Sequence, residues 1–203
     1  MHTEINPFCK QICKDVNMEA LYPVVNCKAE KIKMIMISEA IPQKMQDYFY
    51  SGVHATFFQT TQTAFADAGL KIEHPDELLD KGIYLTTAIK CTKKDYLVSA
   101  ETIKSCSFPL EQEIDLFPNV RVIMCMGDFA IKAVNYIFKR KDGVRVIPAG
   151  STYKIRNQEY IHKGIRFYPS YTQTGDSFNI EKSKRTMIAQ DIRSALDHVN
   201  QFS

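Results

Sequence analysis

Lys33-Met-Ile-Met-Ile-Ser-Glu39-Ala-Ile-Pro42 is the stretch that decides the fold. The apolar run between Lys33 and Ser38 reads as a short strand buried on both faces, the kind that parallel sheets contain. It ends in an acid. Ligands of open α/β sheets bind beyond the carboxyl ends of the strands, and Pro42 stiffens the turn that follows, so Glu39 is the first candidate site residue. The alternative for Glu39 is a helix cap or a solvated acid, since acids are common at helix starts.

Outward from that strand, composition bounds the answer. The chain has 203 residues, 45% hydrophobic and 24% charged, which suits one domain spanning 1–203 with a full core. No apolar run approaches the ~20 residues of a membrane helix, and acids and prolines stand where a signal peptide would have its apolar core. A cytoplasmic monomer without a membrane is expected. The net charge of +3 permits a nucleic-acid partner without demanding one.

Six cysteines in such a chain are buried hydrophobes or metal ligands more often than disulfides. Cys125 lies inside an apolar run and reads as core. A pair in the N-terminal arm, 1–31, together with Cys91 and Cys106 would supply four thiolates, the usual set for an iron–sulfur cluster or a structural zinc; unligated thiols are the alternative. The C-x3-C spacing of Cys9 and Cys13 is by itself a weak signal.

Further along, Asp47-Tyr-Phe-Tyr50 reads as a loop that packs down on its neighbours. Helical spacing marks Thr56 to Ala68, closed by Gly69, then a short helix from Asp76 to Lys81. Ile83 to Ile89 is β-branched and aromatic enough for a second strand, which delivers Lys90-Cys-Thr-Lys-Lys94 to the same carboxyl edge. A helix from Ala100 to Phe117, a third strand from Val120 to Met126, and a helix from Phe129 to Phe138 follow. Gly127 between the last two is read as a packing feature. Lys139-Arg-Lys141 and Arg145 form a basic loop. Val144 to Tyr168 reads as short strands, the last stopping at a Pro169-Ser170 turn, and a closing helix runs from Asn179 to Phe202. Alternating strands and helices imply a three-layer α/β/α sandwich around a short, mainly parallel, four-stranded sheet.

The three strand ends together resemble the uracil-DNA glycosylase superfamily, and within it the iron–sulfur branch often called family four. Ser38-Glu39-Ala40-Ile41-Pro42 stands where that branch has Gly-Glu-Ala-Pro-Gly. Thr86-Thr87-Ala88-Ile89-Lys90-Cys91 stands for Thr-Asn, two apolar residues and Lys-Cys, and Tyr168-Pro169-Ser170 for His-Pro-Ser. The resemblance implies a DNA glycosylase that hydrolyses the N-glycosidic bond of uracil or another damaged base in DNA repair. Its partner would be DNA containing that base.

The resemblance also assigns roles. Glu39 would position the attacking water and Tyr168, in place of the histidine, would assist the leaving base. Thr87 would stand for the base-pairing asparagine, although one hydroxyl cannot reproduce an amide's paired donor and acceptor. A flipped base needs an aromatic face, supplied by Phe57, Phe49 or Tyr50. Ser170, Thr172, Lys182, Lys184 and Arg185 would contact DNA. The same likeness points Cys9, Cys13, Cys91 and Cys106 at a structural [4Fe–4S] cluster, with zinc or no metal as the alternatives. Replacement of the motif histidine and asparagine leaves a second function open: a catalytically inactive module of the same fold that binds nucleic acid, a nucleotide or a partner protein.

Overall fold

The computed structural model describes residues 3–5, 13–17, 25–175 and 177–201. Cys9 lies outside them. In chain order the strands are β1 (Thr3–Ile5), β2 (Val16–Asn17), β3 (Val25–Cys27), β4 (Met34–Ala40), β5 (Ile83–Ile89), β6 (Thr92–Lys93), β7 (Val122–Met126), β8 (Tyr160–His162) and β9 (Ile165–Ser170). The α-helices are α1 (Thr56–Asp67), α2 (Pro75–Asp80), α3 (Ala100–Ile114), α4 (Asp128–Asp142), α5 (Thr152–Ile155), α6 (Ser177–Ile180) and α7 (Lys182–Asn200).

The central sheet has the order β5-β4-β7-β9-β8. Its first four strands are parallel and β8 is antiparallel to β9. The expected four-stranded sheet therefore gains a fifth, edge strand. The extra strand arises because the stretch from Val144 forms the short helix α5 and then the hairpin β8–β9, which turns at Lys163-Gly164.

β4 sits between β5 and β7, as its apolar run requires. Alternate side chains go to opposite faces. Ile35 and Ile37 join a core with Ile103 and Leu110 of α3 and Val134 and Ile137 of α4. Met34 and Met36 join the other core, with Phe58 and Phe65 of α1 and Ile188 and Ile192 of α7. These two cores on either side of one sheet make the three layers.

Further features differ from the sequence reading. Lys139-Arg-Lys141, expected in a loop, forms the last turn of α4, and Arg145 lies beyond it. The N-terminal arm is partly regular: β1 pairs with β3, and β2 pairs with β6 just after the second strand of the sheet. Asp15 fastens that arm, accepting from the Ser99 N–H at 2.6 Å and from the Thr102 hydroxyl at the start of α3. Another difference is β9, which runs through Pro169 to Ser170 rather than stopping before them. Proline is tolerated because β8 accompanies β9 only as far as Phe167, so one edge of the strand is open beyond that point.

Under β5 lies a buried polar network. Glu113 of α3 accepts from the Tyr84 hydroxyl at 2.6 Å, from the Thr86 hydroxyl at 2.9 Å, and from the Lys90 ammonium at 2.5 Å. Lys90 and Glu113 are 2% and 4% exposed, so every charge here is desolvated and paired.

Candidate active site

Glu39 lies on the α3/α4 side of the sheet, continuing the alternation of Ile35 and Ile37, and its carboxylate meets the first turn of α4. The Phe129 N–H donates to Oε1 at 3.5 Å. That approach depends on Gly127, whose φ is +109°, in the region L side chains rarely adopt. A Cβ there would lie 2.6 Å from Glu39 Cγ and Oε1. The glycine read from sequence as a packing feature is thus the residue that lets the acid in. Burial pushes the Glu39 carboxyl above the usual glutamate range. The Phe129 N–H, the Lys93 ammonium and the Asp128 N–H pull the other way.

Glu39 lines an open cleft of about 600 Å³, large enough for a base with its sugar. Ala40 to Gln43 continue one rim. Phe57, half-buried at the start of α1, forms an aromatic wall and leans on Phe49 with ring centroids 5.4 Å apart. Beside the β4 rim come Lys93 and Tyr96 from the segment after β5: the Gln43 side chain donates to the Lys93 carbonyl at 2.6 Å, and the Lys93 ammonium is 5.5 Å from the Tyr96 and the Phe129 ring centroids. Thr172 and Thr174 close the cleft from the segment after β9. Asp47 also lines it and accepts from the Thr56 hydroxyl at 2.7 Å. A carboxylate, an ammonium, hydroxyls and a flat ring therefore converge on one concavity.

Only part of the expected constellation is there. Glu39, Phe57 and Thr172 share the cleft. Tyr168 does not: it is 8% exposed, on the α7 face, and its hydroxyl donates to the Ser194 carbonyl at 3.1 Å. The cause is the length of β9, which places Tyr168 two residues inside the strand instead of at its end. Thr172, just past Ser170, takes the place from which the turn reaches Glu39. Thr87 is fully buried and donates to the Ile89 carbonyl at 3.0 Å, so it presents nothing to the cleft. Ser170 is also buried, its hydroxyl donating to Asp191 at 2.6 Å beside the Arg156–Asp191 pair.

The remaining aromatics and cations sort similarly. Phe49 is core, and the Tyr50 hydroxyl accepts the Leu85 N–H at 2.8 Å at the β5 edge of the sheet. Lys184 pairs with Glu181 at 2.7 Å, Arg185 pairs with Asp67 of α1, and Lys182 is exposed. Arg185 therefore ties two helices together, which a sequence gap of 118 residues hides. Sequence reasoning missed Lys93, Tyr96 and Asp47 as cleft residues. Only Lys93 carried a signal, through its place at the carboxyl edge after the second strand.

Cys13, Cys91 and Cys106 all pack against the same core, and the β2–β6 pairing with the Asp15 bonds holds the arm beside β5 and α3. Among the described residues, however, no three His, Cys, Asp or Glu side chains are grouped so as to hold a metal ion. Also among the described residues, no helix is long and apolar enough to cross a membrane.

Two comparisons with known proteins bear on the site. The chain is 27% identical over 100 residues to a type-5 uracil-DNA glycosylase of Thermus thermophilus, a match covering 49% of this chain and 46% of that protein. It thus spans about half the length of the relative it matches. The family model of the uracil DNA glycosylase superfamily matches residues 28–189, from just before β4 well into α7, and so includes every strand of the central sheet and the Glu39 cleft. The chain belongs to the uracil DNA glycosylase superfamily.

Proposed function

We propose that this protein is a DNA glycosylase that hydrolyses the N-glycosidic bond of uracil or another damaged base during repair. The observation that carries the reading is Glu39. Its half-buried carboxylate faces an open cleft, steadied by backbone N–H groups and Lys93, and Phe57 lines the same cleft. A base taken out of the stack would lie against Phe57, leaving its sugar near the carboxylate. Ionised Glu39 orients a water and accepts a proton from it as oxygen bonds to the anomeric carbon. The glycosidic electron pair leaves with the base, whose negative charge is met by the Thr172 and Thr174 hydroxyls and by Lys93. These take the part the sequence reading gave to Tyr168. DNA phosphates would meet Lys182 and the exposed side of the segment after β9.

Four thiols, Cys9, Cys13, Cys91 and Cys106, are proposed to hold a [4Fe–4S] cluster. It would act only as a structural tie between arm and sheet, and none of the hydrolytic steps uses it. What supports this is that the β2–β6 pairing, next to Cys91, and the Asp15 bonds to the start of α3 bring the arm toward the segments that carry the other two thiols. Iron analysis of anaerobically purified protein decides: about four irons per chain are expected, and neither iron nor zinc would remove the cluster. Cys106→Ser should then destabilise the chain far more than Cys27→Ser.

A second reading is favoured by one specific observation. Thr87 and Tyr168 have their hydroxyls bonded away from the cleft, which suits a module that binds a base or nucleotide without cleaving it. Oligonucleotides carrying uracil, hypoxanthine or xanthine, incubated with the protein and then treated with alkali, separate the two. Strand breaks at one of these bases are expected. Binding without breaks at any of them would favour the module.

A further inference from the structure

A second concavity, sharing no residue with the Glu39 cleft, lies along the outer side of α4. It has a volume of about 510 Å³ and is lined by Lys132, Tyr136, Lys139 and Arg145, with Asn135, Gly143 and Ala100 completing it. The loop after α4 is held over the helix by a two-bond clamp. The Asn135 side chain donates to the Ile147 carbonyl at 2.9 Å and accepts the Ile147 N–H at 3.0 Å. Asn135 is buried, and its two bonds fix the loop that borders the pocket.

The lining is chemically one-sided. Lys132, Lys139 and Arg145 are all exposed, and among the described residues no acidic side chain lines the pocket. Lys132 shares its charge with Asp128 at 2.5 Å, outside the lining, which leaves Lys139 and Arg145 as the principal cations. Asp142, the acid at the end of α4, faces the other way, toward His162 and Lys163. Half-buried Tyr136 packs against the core and offers a fixed aromatic surface below the cations. Cations that meet phosphate and a ring that stacks on a base are the two elements of sequence-independent nucleotide recognition.

We infer that this pocket is a second nucleotide-binding site, with Lys139 and Arg145 on a phosphate and Tyr136 against the base. The inference does not depend on excision at Glu39, and it gives a role to Lys139 in the last turn of α4 and to Arg145 beyond it, which the cleft leaves unused. A nucleoside phosphate can reach the pocket free in solution or as one unit of a single strand, so both forms are probed. Thymidine monophosphate, inorganic phosphate and a short oligothymidylate are each titrated into isotopically labelled full-length protein, and the amide resonances of Tyr136, Gly143 and Arg145 are followed.

Thymidine monophosphate should move these amides at concentrations where inorganic phosphate does not, and Lys139→Ala with Arg145→Ala should weaken the effect about tenfold, the order expected for two exposed charge contacts. The double variant should leave shifts at Gln43 and Thr172, in the cleft, unchanged. If only the oligothymidylate acts, the site is supported and its ligand is a strand. Equal shifts from inorganic phosphate would overturn the role of Tyr136. The whole inference fails if no probe moves these amides or if the double variant binds as the parent does.

Discussion

Glu113 and Glu39 each feel the charge of a lysine, and they are treated in opposite ways. Glu113 is buried beneath β5 with Lys90, Tyr84 and Thr86 around it, and each group has found its partner. Glu39, at the carboxyl end of the neighbouring strand, has a long N–H bond to Phe129, the Asp128 N–H beside it, a lysine at a distance and an open cleft in front. Lys90 and Lys93 are three residues apart in the same segment, yet one turns into the core and the other to the cleft. A satisfied charge holds the fold together. A half-satisfied one at the end of a strand is available to a substrate, and its raised pKa reflects desolvation that its partners only partly offset.

The comparison can be broken at either end. Lys90→Met would leave Glu113 buried without its counter-ion, and unfolding by denaturant should show a loss of about 3–5 kcal/mol. A loss near zero would mean that water reaches this network. Gly127→Ala should cost less, about 1–3 kcal/mol for a strained φ, but it places a Cβ on the Glu39 carboxylate and should lower activity well beyond its effect on stability. Activity and stability falling in proportion would show that the glycine serves packing alone.

The smallest effect concerns pH. Glu39 must be ionised to accept a proton, and burial raises its pKa, so activity should fall on the acid side at a higher pH than for a solvated glutamate. Lys93 favours the ionised form. Lys93→Ala should therefore raise the Glu39 pKa further and move that acid limb to still higher pH, as a pH profile of single-turnover rates would show. An unmoved limb would separate Lys93 from Glu39.

Much of this was legible in the sequence because it is written locally. Apolar runs marked β4, β5 and β7, helical spacing marked α1, α3 and α7, and an acid directly after a buried run marked Glu39. The misplaced residues depended on partners far along the chain. Whether β9 stops at Pro169 is decided by how far β8 accompanies it, and that one strand end moves Tyr168 out of the site and Thr172 into it. Thr87 looked like a strand-end hydroxyl, but only the folded chain turns it toward Ile89. Arg185 looked like a DNA contact until Asp67, on another helix, came beside it.

The most direct test of the Glu39 cleft is single-turnover excision by the parent and Glu39→Gln on one damaged-base oligonucleotide, with DNA affinity read in parallel by fluorescence anisotropy. The account predicts a rate about 10²–10⁴-fold lower at nearly unchanged affinity, because a base acting in the transition state adds little to ground-state binding. Equal rates from the two proteins would contradict it.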